Sequence, residues 1–385
     1  LMLSPYQLFG KLRHRVANHE LLQVQSDHRW GGDDRLSVRL ARLLLTLIYA
    51  PMRFFTLAVR KFFNIHLPPI YARPTIGLAT LWQPEDEMDQ FSWNLVEAYR
   101  WKDQYNDPLP IALEESRRIC AEQTREKLGI PRDAWFACLH VREGGYYGDH
   151  ETEHRNAAIA NYLPAIREIT LRGGWVVRMG DTTMAPLQPM ELVIDYPHTP
   201  HKSELMDIYL ISACRFFVGV SSGMTDLAAM FQKPQVLTNL PLWIHGFPFL
   251  KGDLAILKHI YSKSRGRFLS LQEILAGGME SQFLYYPLGK DFSFRENSAE
   301  EIRDLVLEFL GNNGNGSLFP LQLEFHRQRV LQGRKILGGD KPICPSTLTD
   351  NVNTRFRIAA RLEPAQGAIG RRFVEQNWER SSQTV

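Results

Sequence analysis

Short apolar runs alternate with helical segments between residues 135 and 240, and this alternation constrains the fold more than any other feature of the chain. Four runs have the length and apolar character of buried strands: WFACLHV (135–141), WVVRM (175–179), RFFVGV (215–220) and QVLTNL (235–240). The intervening segments at 161–172, 203–214 and 224–231 have helical patterns. Strands that alternate with helices predict an α/β fold with a doubly wound parallel sheet and helices on both faces.

The flanks of this region define four parts in a chain of 385 residues. Residues 131–310 form the predicted Rossmann-like domain, which ends in a helix whose Ser298 and Glu301 have capping-box spacing. GNNGNGS at 311–317 is typical of a flexible linker, so 311–385 are interpreted as a linker and a C-terminal tail. Residues 67–130 are polar and largely helical, and ALEESRRICAEQTREKLG ends at Gly129, a common helix stop.

Residues 1–66 form a basic, amphipathic and helical segment. Between residues 35 and 66 there are six cationic and no acidic side chains around LLLTLIYAP and FFTLAV. Pro51 and Arg53 interrupt the apolar stretch, which therefore falls short of the roughly 20 residues that a membrane span needs. Two interpretations stay open: association with an anionic membrane surface, or a pair of helices packed on the body of the protein.

Composition narrows the classes of protein to consider. A net charge of +3 does not require a nucleic-acid partner, although it favours anionic substrates. The chain has four cysteines, Cys120, Cys138, Cys214 and Cys344, which lie far apart without CxxC spacing. Cys138 and Cys214 fall in apolar contexts, so we expect buried free thiols there rather than disulfides or zinc ligands. This expectation fits a cytoplasmic protein.

The first candidate site follows the strand at 135–141. His140-Val141-Arg142 closes the strand, and ligands of open α/β sheets bind outside the carboxyl ends of the strands. A guanidinium at this edge can bind a phosphate or diphosphate through two parallel hydrogen bonds. The alternative is an ion pair between Arg142 and the adjacent Glu143, which the tripeptide alone favours.

A second candidate lies in GVSSGMTDLAAMF at 219–231, where a buried strand passes directly into a helix. Helix N-termini offer free N–H groups and a positive dipole end, so Ser221, Ser222 and Gly223 could bind phosphate there. The alternative is ordinary N-capping by either serine. The GxxxxGK[ST] pattern of a P-loop is absent from the sequence.

A third group of polar residues comprises Asp149, His150, Glu151, Glu153 and His154. His150 and His154 have the i, i+4 spacing of metal ligands on a helix, but the preceding glycines indicate a loop and HExxH is absent. The carboxylates are candidates for a general base, with a solvated loop as the alternative.

Several motifs occur together in a fixed order: HVR at 140–142, NYLPAI at 161–166, VVRMGD at 176–181 and MDIYLISACRFFVGVSSGMTDLAAMF at 206–231. This set resembles the donor-binding half of the fucosyltransferase-like glycosyltransferases, the α1,6- and peptide-O-fucosyltransferase superfamily. It is still more similar to a bacterial family of cell-surface polysaccharide glycosyltransferases that shares HVRExGYxGD, RNA and WVVRMGD. The similarity covers about residues 134–240, less than a third of the chain.

The resemblance implies a GT-B-like enzyme with its donor site in the sheet domain and its acceptor side, reduced or divergent, in residues 67–130. It implies that Arg142 contacts the donor diphosphate and that His140 shapes the nucleotide pocket. The other implied donor-binding residues are Gly180, Asp181, Asp207, Ser221, Ser222 and Gly223. Glu143 departs from the α1,6 enzymes, which have a second arginine there, so the donor need not be GDP-fucose.

The expected activity is sugar transfer from a nucleoside-diphosphate donor to a glycan or lipid-linked acceptor in bacterial surface-polysaccharide synthesis. Arg142 would stabilise the leaving group, and Asp149, or else Glu151, would deprotonate the acceptor in an inverting reaction. The chain contains no DxD motif, so neither a metal nor another cofactor is expected. We expect a cytoplasmic enzyme with no nucleic-acid partner. If the basic segment at 1–66 binds lipid, the enzyme would be peripheral to the inner membrane face.

Two other functions stay open at this point. One is a nucleotide-sugar-binding assembly protein that has lost turnover. The other is a metal-dependent phosphohydrolase that uses Asp149, His150 and His154.

Overall fold

The computed structural model describes residues 113–144, 153–241, 243, 247–248, 250–276, 291–312, 317–336 and 367–379. All of them belong to one compact unit, formed by residues 111–340 together with 361–385. The predictions for residues 1–66 and for most of 67–130 lie outside the described residues.

A parallel sheet of seven strands forms the centre of this unit. Its strands are β1 (Phe136–His140), β2 (Trp175–Arg178), β3 (Val193–Asp195), β4 (Phe216–Gly219), β5 (Gln235–Leu240), β6 (Leu254–Leu257) and β10 (Ala368–Ile369). They lie in the order β10-β6-β5-β4-β1-β2-β3. The four strands predicted from apolar runs are β1, β2, β4 and β5, and all four are confirmed. Every residue of β1, β4 and β5 is buried, which explains why apolar and polar residues do not alternate along these strands.

Helices cover both faces of the sheet, as predicted. The main helices are α1 (Glu115–Lys127), α2 (Leu163–Thr170), α3 (Glu204–Ala213), α4 (Gly223–Met230), α5 (Leu271–Leu275), α6 (Ala299–Asn312), α7 (Pro320–Ile336) and α8 (Arg371–Asn377). Cys138 of β1 contacts the Leu210 carbonyl of α3, whereas Phe216 of β4 packs on Phe309 of α6. Because Phe216 is in register with Ala137, and successive strand residues point to opposite faces, α3 and α6 lie on opposite sides. The predicted α/β, doubly wound fold is therefore confirmed.

Local sequence signals set several helix ends. The Ser203 hydroxyl accepts a hydrogen bond from the Met206 N–H and caps α3. Ser298 and Glu301 exchange the two bonds of the predicted capping box, at 2.8 and 3.2 Å. Gly129 follows α1 with a φ of +86°, a conformation that glycine adopts at little cost. Cys138 and Cys214 are buried free thiols, as predicted.

The unit also contains elements without a clear sequence signal. Strands β8 (Arg267–Phe268), β7 (His259–Ser262) and β9 (Phe292–Arg295) form a small antiparallel sheet. Near the C-terminus, β10 pairs in parallel with β6, and the backbone of Arg371 at the start of α8 donates to Glu308 of α6. Parts of the region that the sequence assigned to a linker and tail thus complete the edge of the main sheet.

Candidate functional site

Strand β1 pairs with β2 on one side and with β4 on the other. The sheet continues from β2 to β3 in one direction and from β4 to β5 in the other, so the strand order reverses between β1 and β4. In doubly wound sheets the crevice for a ligand opens at this reversal, beyond the carboxyl ends of the two strands. The strands end at His140 and Gly219, and the Val220 N–H donates to the His140 carbonyl at 3.2 Å. A Cβ on Gly219 would stand 2.4 Å from that carbonyl oxygen, so this close approach requires glycine.

His140 is held in this crevice by the helix that follows β4. Its Nδ1 lies 3.1 Å from the Ser222 hydroxyl, which also lies 3.5 Å from the Thr225 hydroxyl. Burial lowers the pKa of His140 to about 4; Asp181 opposes this shift, and Arg142 and Arg178 reinforce it. The imidazole is therefore neutral at physiological pH and can serve as a hydrogen-bond donor or acceptor but not as a cation.

Ser222 occupies the N-cap position of α4, but its side chain makes no capping hydrogen bond. Its hydroxyl faces His140 instead, so the N-capping explanation is wrong for this side chain. A Cβ on Gly223 would meet no atom within 4 Å, which shows open space beside the start of the helix. Ser221, Ser222 and Gly223 thus bring the positive end of α4 to the same crevice as His140.

Arg142 leaves the end of β1 with only 9% of its surface exposed, and its carbonyl accepts from the Ala157 N–H at 3.0 Å. The neighbouring Glu143 is engaged elsewhere through both carboxylate oxygens. Oε1 accepts from Nη2 of Arg178 at 2.7 Å, and Oε2 accepts from the Ala185 N–H at 3.0 Å. The tripeptide alone favoured an ion pair between Arg142 and Glu143. In such a pair, Arg142 would have to share the Glu143 carboxylate oxygens with Arg178 and the Ala185 N–H.

Arg178 is the centre of a buried ionic cluster that the sequence analysis did not identify. The side chain is fully buried and also binds Asp195 at 3.0 Å and the Ala185 carbonyl at 2.7 Å. Because Glu143, Arg178 and Asp195 follow or end β1, β2 and β3, the cluster ties three strands together at their carboxyl ends. The arginine inside the apolar run WVVRM was its one signal in the sequence.

Gly180 and Asp181 form the turn after β2. Gly180 has a φ of +145°, and a Cβ there would lie 2.2 Å from Sδ of Met184, so the turn needs glycine. The Asp181 carboxylate accepts from the Thr183 N–H at 2.8 Å, and its charge acts on His140. The Asp181 carboxylate is therefore bound within the turn.

Asp207 lies in the first turn of α3 and forms an ion pair with Lys202. Lys202 also lies over the ring of Tyr196, 5.1 Å from its centroid. Burial raises the pKa of Asp207, and the Lys202 charge opposes that shift. A ligand that used this carboxylate would have to share it with Lys202, so the role that the resemblance implies for Asp207 stays a prediction.

The predicted general bases Asp149 and Glu151 lie outside the described residues, as does His150. His154 is described, and its ring stacks 6.3 Å from that of Phe294. Within the described part of the chain, no three His, Cys, Asp or Glu side chains are grouped so that they could hold a metal ion.

A second set of polar side chains, also missed by the sequence analysis, lies at the end of β5. The Tyr162 hydroxyl contacts the Thr238 hydroxyl at 2.6 Å and accepts from the Asn239 side chain at 3.0 Å. Asn239 and Asn297 each accept the other's backbone N–H at 2.7 Å. Burial raises the pKa of Tyr162 to about 12, so this network is neutral and fixes the sheet edge beside the crevice.

Comparison of the chain with protein-family models and with curated proteins finds no match. Among solved structures, it is similar to E. coli ADP-heptose LPS heptosyltransferase II, with 16% identity over 34% of this chain and 41% of that chain and a TM-score of 0.26. It is also similar to the dodecameric iron-containing heptosyltransferase TibC, solved with ADP-D-β-D-heptose, with 18% identity over 30% of each chain and a TM-score of 0.20. The chain thus spans less than half the length of either structure.

No helix among the described residues has both the length and the apolar character needed to cross a membrane.

Proposed function

We propose that this protein is a glycosyltransferase that moves a sugar from a nucleoside-diphosphate donor to a glycan or lipid-linked acceptor in bacterial surface-polysaccharide synthesis. One observation carries the proposal. At the reversal of strand order, the neutral His140 meets Ser222 at the start of α4, and Arg142 lies two residues beyond the end of β1. This combination of a guanidinium, a helix N-terminus and a neutral imidazole suits an anionic ligand such as a diphosphate.

The contact between Ser222 and His140 suggests how the imidazole would act. If the Ser222 hydroxyl donates to Nδ1, the ring proton resides on Nε2. We assign this tautomer, because Nε2–H can then donate to a phosphate or ribose oxygen. Its low pKa keeps the ring in this neutral form, so positive charge at the site comes from Arg142 and the α4 dipole.

In the proposed reaction, an acceptor hydroxyl oxygen bonds to the anomeric carbon of the donor sugar as the bond from that carbon to the diphosphate breaks. The bonding electron pair leaves with the diphosphate, where Arg142 and the N–H groups of α4 stabilise it. The hydroxyl proton passes to a carboxylate, for which Asp149 is our first choice and Glu151 the second. Inversion at the anomeric carbon and independence of metal ions are parts of this proposal.

The arrangement of the rest of the chain is likewise proposed. A GT-B-like enzyme binds its acceptor with the other half of the molecule, which we assign to the part of residues 67–130 that precedes the sheet unit. The basic segment at 1–66 would bring the enzyme to the cytoplasmic face of an anionic membrane, where a lipid-linked acceptor resides.

Ligand binding by Arg142 variants tests the proposal. Calorimetry against UDP-, GDP-, ADP- and CMP-sugars should identify a donor, and Arg142→Ala should bind it about tenfold to a hundredfold more weakly, the cost of one charge-assisted hydrogen bond. Arg142→Lys should restore little, because an ammonium cannot form the two parallel bonds. Arg172→Ala, which removes an exposed arginine at the end of α2, is the matched control and should bind normally.

Two results would contradict the proposal. Failure of the wild type to bind any of these donors would remove its basis, and unchanged binding by Arg142→Ala would remove the assigned phosphate contact. Binding without transfer to any acceptor would instead favour an assembly protein that keeps the pocket but lacks turnover.

A further inference from the structure

Lys258 is a buried cation at the same edge of the sheet as the proposed donor site. It directly follows β6, where its backbone N–H donates to the Leu240 carbonyl at 2.8 Å. Only 4% of its surface is exposed, and its Nζ donates to the Asn156 carbonyl at 2.6 Å. An ammonium group has three N–H donors, and within the described part of the chain this carbonyl is the one hydrogen-bond acceptor that Nζ contacts.

The residue whose backbone carbonyl binds this ammonium also carries a complementary side-chain group. Its Oδ1 is buried and has no hydrogen-bond partner among the described residues. Its Nδ2 faces Gly144, where a Cβ would stand 3.4 Å away. Buried polar atoms in proteins are nearly always hydrogen-bonded. An acceptor without a partner, on the same residue that binds an ammonium with spare donors, therefore points to a bound group.

This pair lies next to the strand-end arginine. Ala157, the residue after Asn156, donates its N–H to the Arg142 carbonyl at 3.0 Å. The segment is also fixed from the other side, because the Ala158 N–H donates to Glu296 at 2.9 Å. The segment that binds Lys258 is therefore fixed to the backbone of Arg142, the residue proposed to contact the donor diphosphate.

We propose that Lys258 and Asn156 form a hydroxyl-binding subsite for the sugar of the nucleotide-sugar donor. A hydroxyl group both accepts and donates, so neighbouring hydroxyls of a sugar can accept from Nζ and donate to Oδ1. A second phosphate would fit less well, because Oδ1 of Asn156 would face its negative charge without a hydrogen between them. The inference rests on the proposed function and extends it from the diphosphate to the sugar.

Comparison of two ligands separates a sugar contact from a general effect on the site. The probes are the nucleotide sugar that the wild type binds most tightly and the nucleoside diphosphate that lacks the sugar. Lys258→Met should weaken binding of the nucleotide sugar about tenfold or more, which is the effect of one charge-assisted hydrogen bond. The affinity of this variant for the nucleoside diphosphate should stay within about twofold of the wild-type value. Lys251→Met, at an exposed lysine in the turn before β6, is the matched control and should change neither.

A second variant guards against a folding defect in Lys258→Met. Asn156→Ala removes Oδ1 but keeps the backbone carbonyl that binds Lys258, and it should show the same selective loss of several-fold. Equal weakening of both ligands in both variants would show that these residues support the fold and not the sugar. Unchanged affinities would mean that ordered water fills the position. If the wild type bound neither ligand, the proposed function would fail first and the subsite with it.

Discussion

The ion pair between Arg178 and Glu143 should be among the strongest couplings in this unit. Arg178 is fully buried, and Glu143 and Asp195 retain 22% and 18% of their side-chain exposure. Removing one partner of a buried pair typically costs about 3–5 kcal/mol, because the remaining charge stays buried. We therefore expect Arg178→Met to lower the free energy of unfolding by about that amount, since it leaves two carboxylates without their cation.

A double-mutant cycle isolates the pair from these desolvation effects. Glu143→Gln should cost about 1.5–3 kcal/mol, the usual worth of a hydrogen bond to a charged group. The two changes together should cost less than their sum, with a coupling energy of about 1.5–3 kcal/mol. Arg172 and Glu168, an exposed pair in and just after α2, provide the control cycle, for which we expect only about 0.3–0.5 kcal/mol.

Hydrogen exchange of the β1 and β2 amides is the suitable assay, because it reports opening of this unit alone in a chain that divides into two. A coupling energy for Arg178 and Glu143 no larger than that of the exposed control pair would refute the argument. It would show that the ion pair with Arg178 stabilises Glu143 no more than water would. The ion pair would then not be what fixes the adjacent Arg142 in place.

Four further predictions follow from the site. The pKa of His140 is lowered to about 4 from 6.5, so the unfolded chain takes up this proton at a higher pH than the folded protein. The free energy of unfolding should therefore be highest above pH 6.5 and fall as the pH drops toward 4, by about 2 kcal/mol between pH 7.5 and 5. A pH series of unfolding measurements should show this component in the wild type and not in His140→Gln. Asp149→Asn should reduce transfer about 10²–10⁴-fold and change donor affinity by less than a few-fold; parallel losses would make Asp149 a donor ligand, and a selective loss only in Glu151→Gln would make Glu151 the base. Activity on the nucleotide sugar should persist in EDTA, and a complete loss of activity that Mn²⁺ or Zn²⁺ restores would favour the phosphohydrolase. The chain should bind anionic vesicles in a salt-dependent way, and glutamine in place of the six cations between residues 35 and 61 should weaken that binding; equal co-sedimentation of both proteins would argue against membrane docking.

Local signals in the sequence were sufficient for the central part of the fold. Strands β1, β2, β4 and β5 were predictable because a strand buried on both faces is rich in apolar residues without alternation, and this property is visible in a short window. The caps at Ser203 and Ser298 were predictable for a similar reason, since each involves residues only three apart. The position of His140 and Arg142 at a strand end, and of Ser222 at the next helix start, followed from the same alternation.

Only the tertiary structure decided which of these residues meet and what balances their charges. Strands β3 and β10 have three and two residues, too few for any periodic pattern, and they exist because longer neighbours offer free edges. Glu143 binds Arg178, 35 residues away, and Lys258 binds Asn156, 102 residues away. Burial makes such distant pairings obligatory, because a charge removed from water needs a partner, but the sequence does not record which partner the fold brings close.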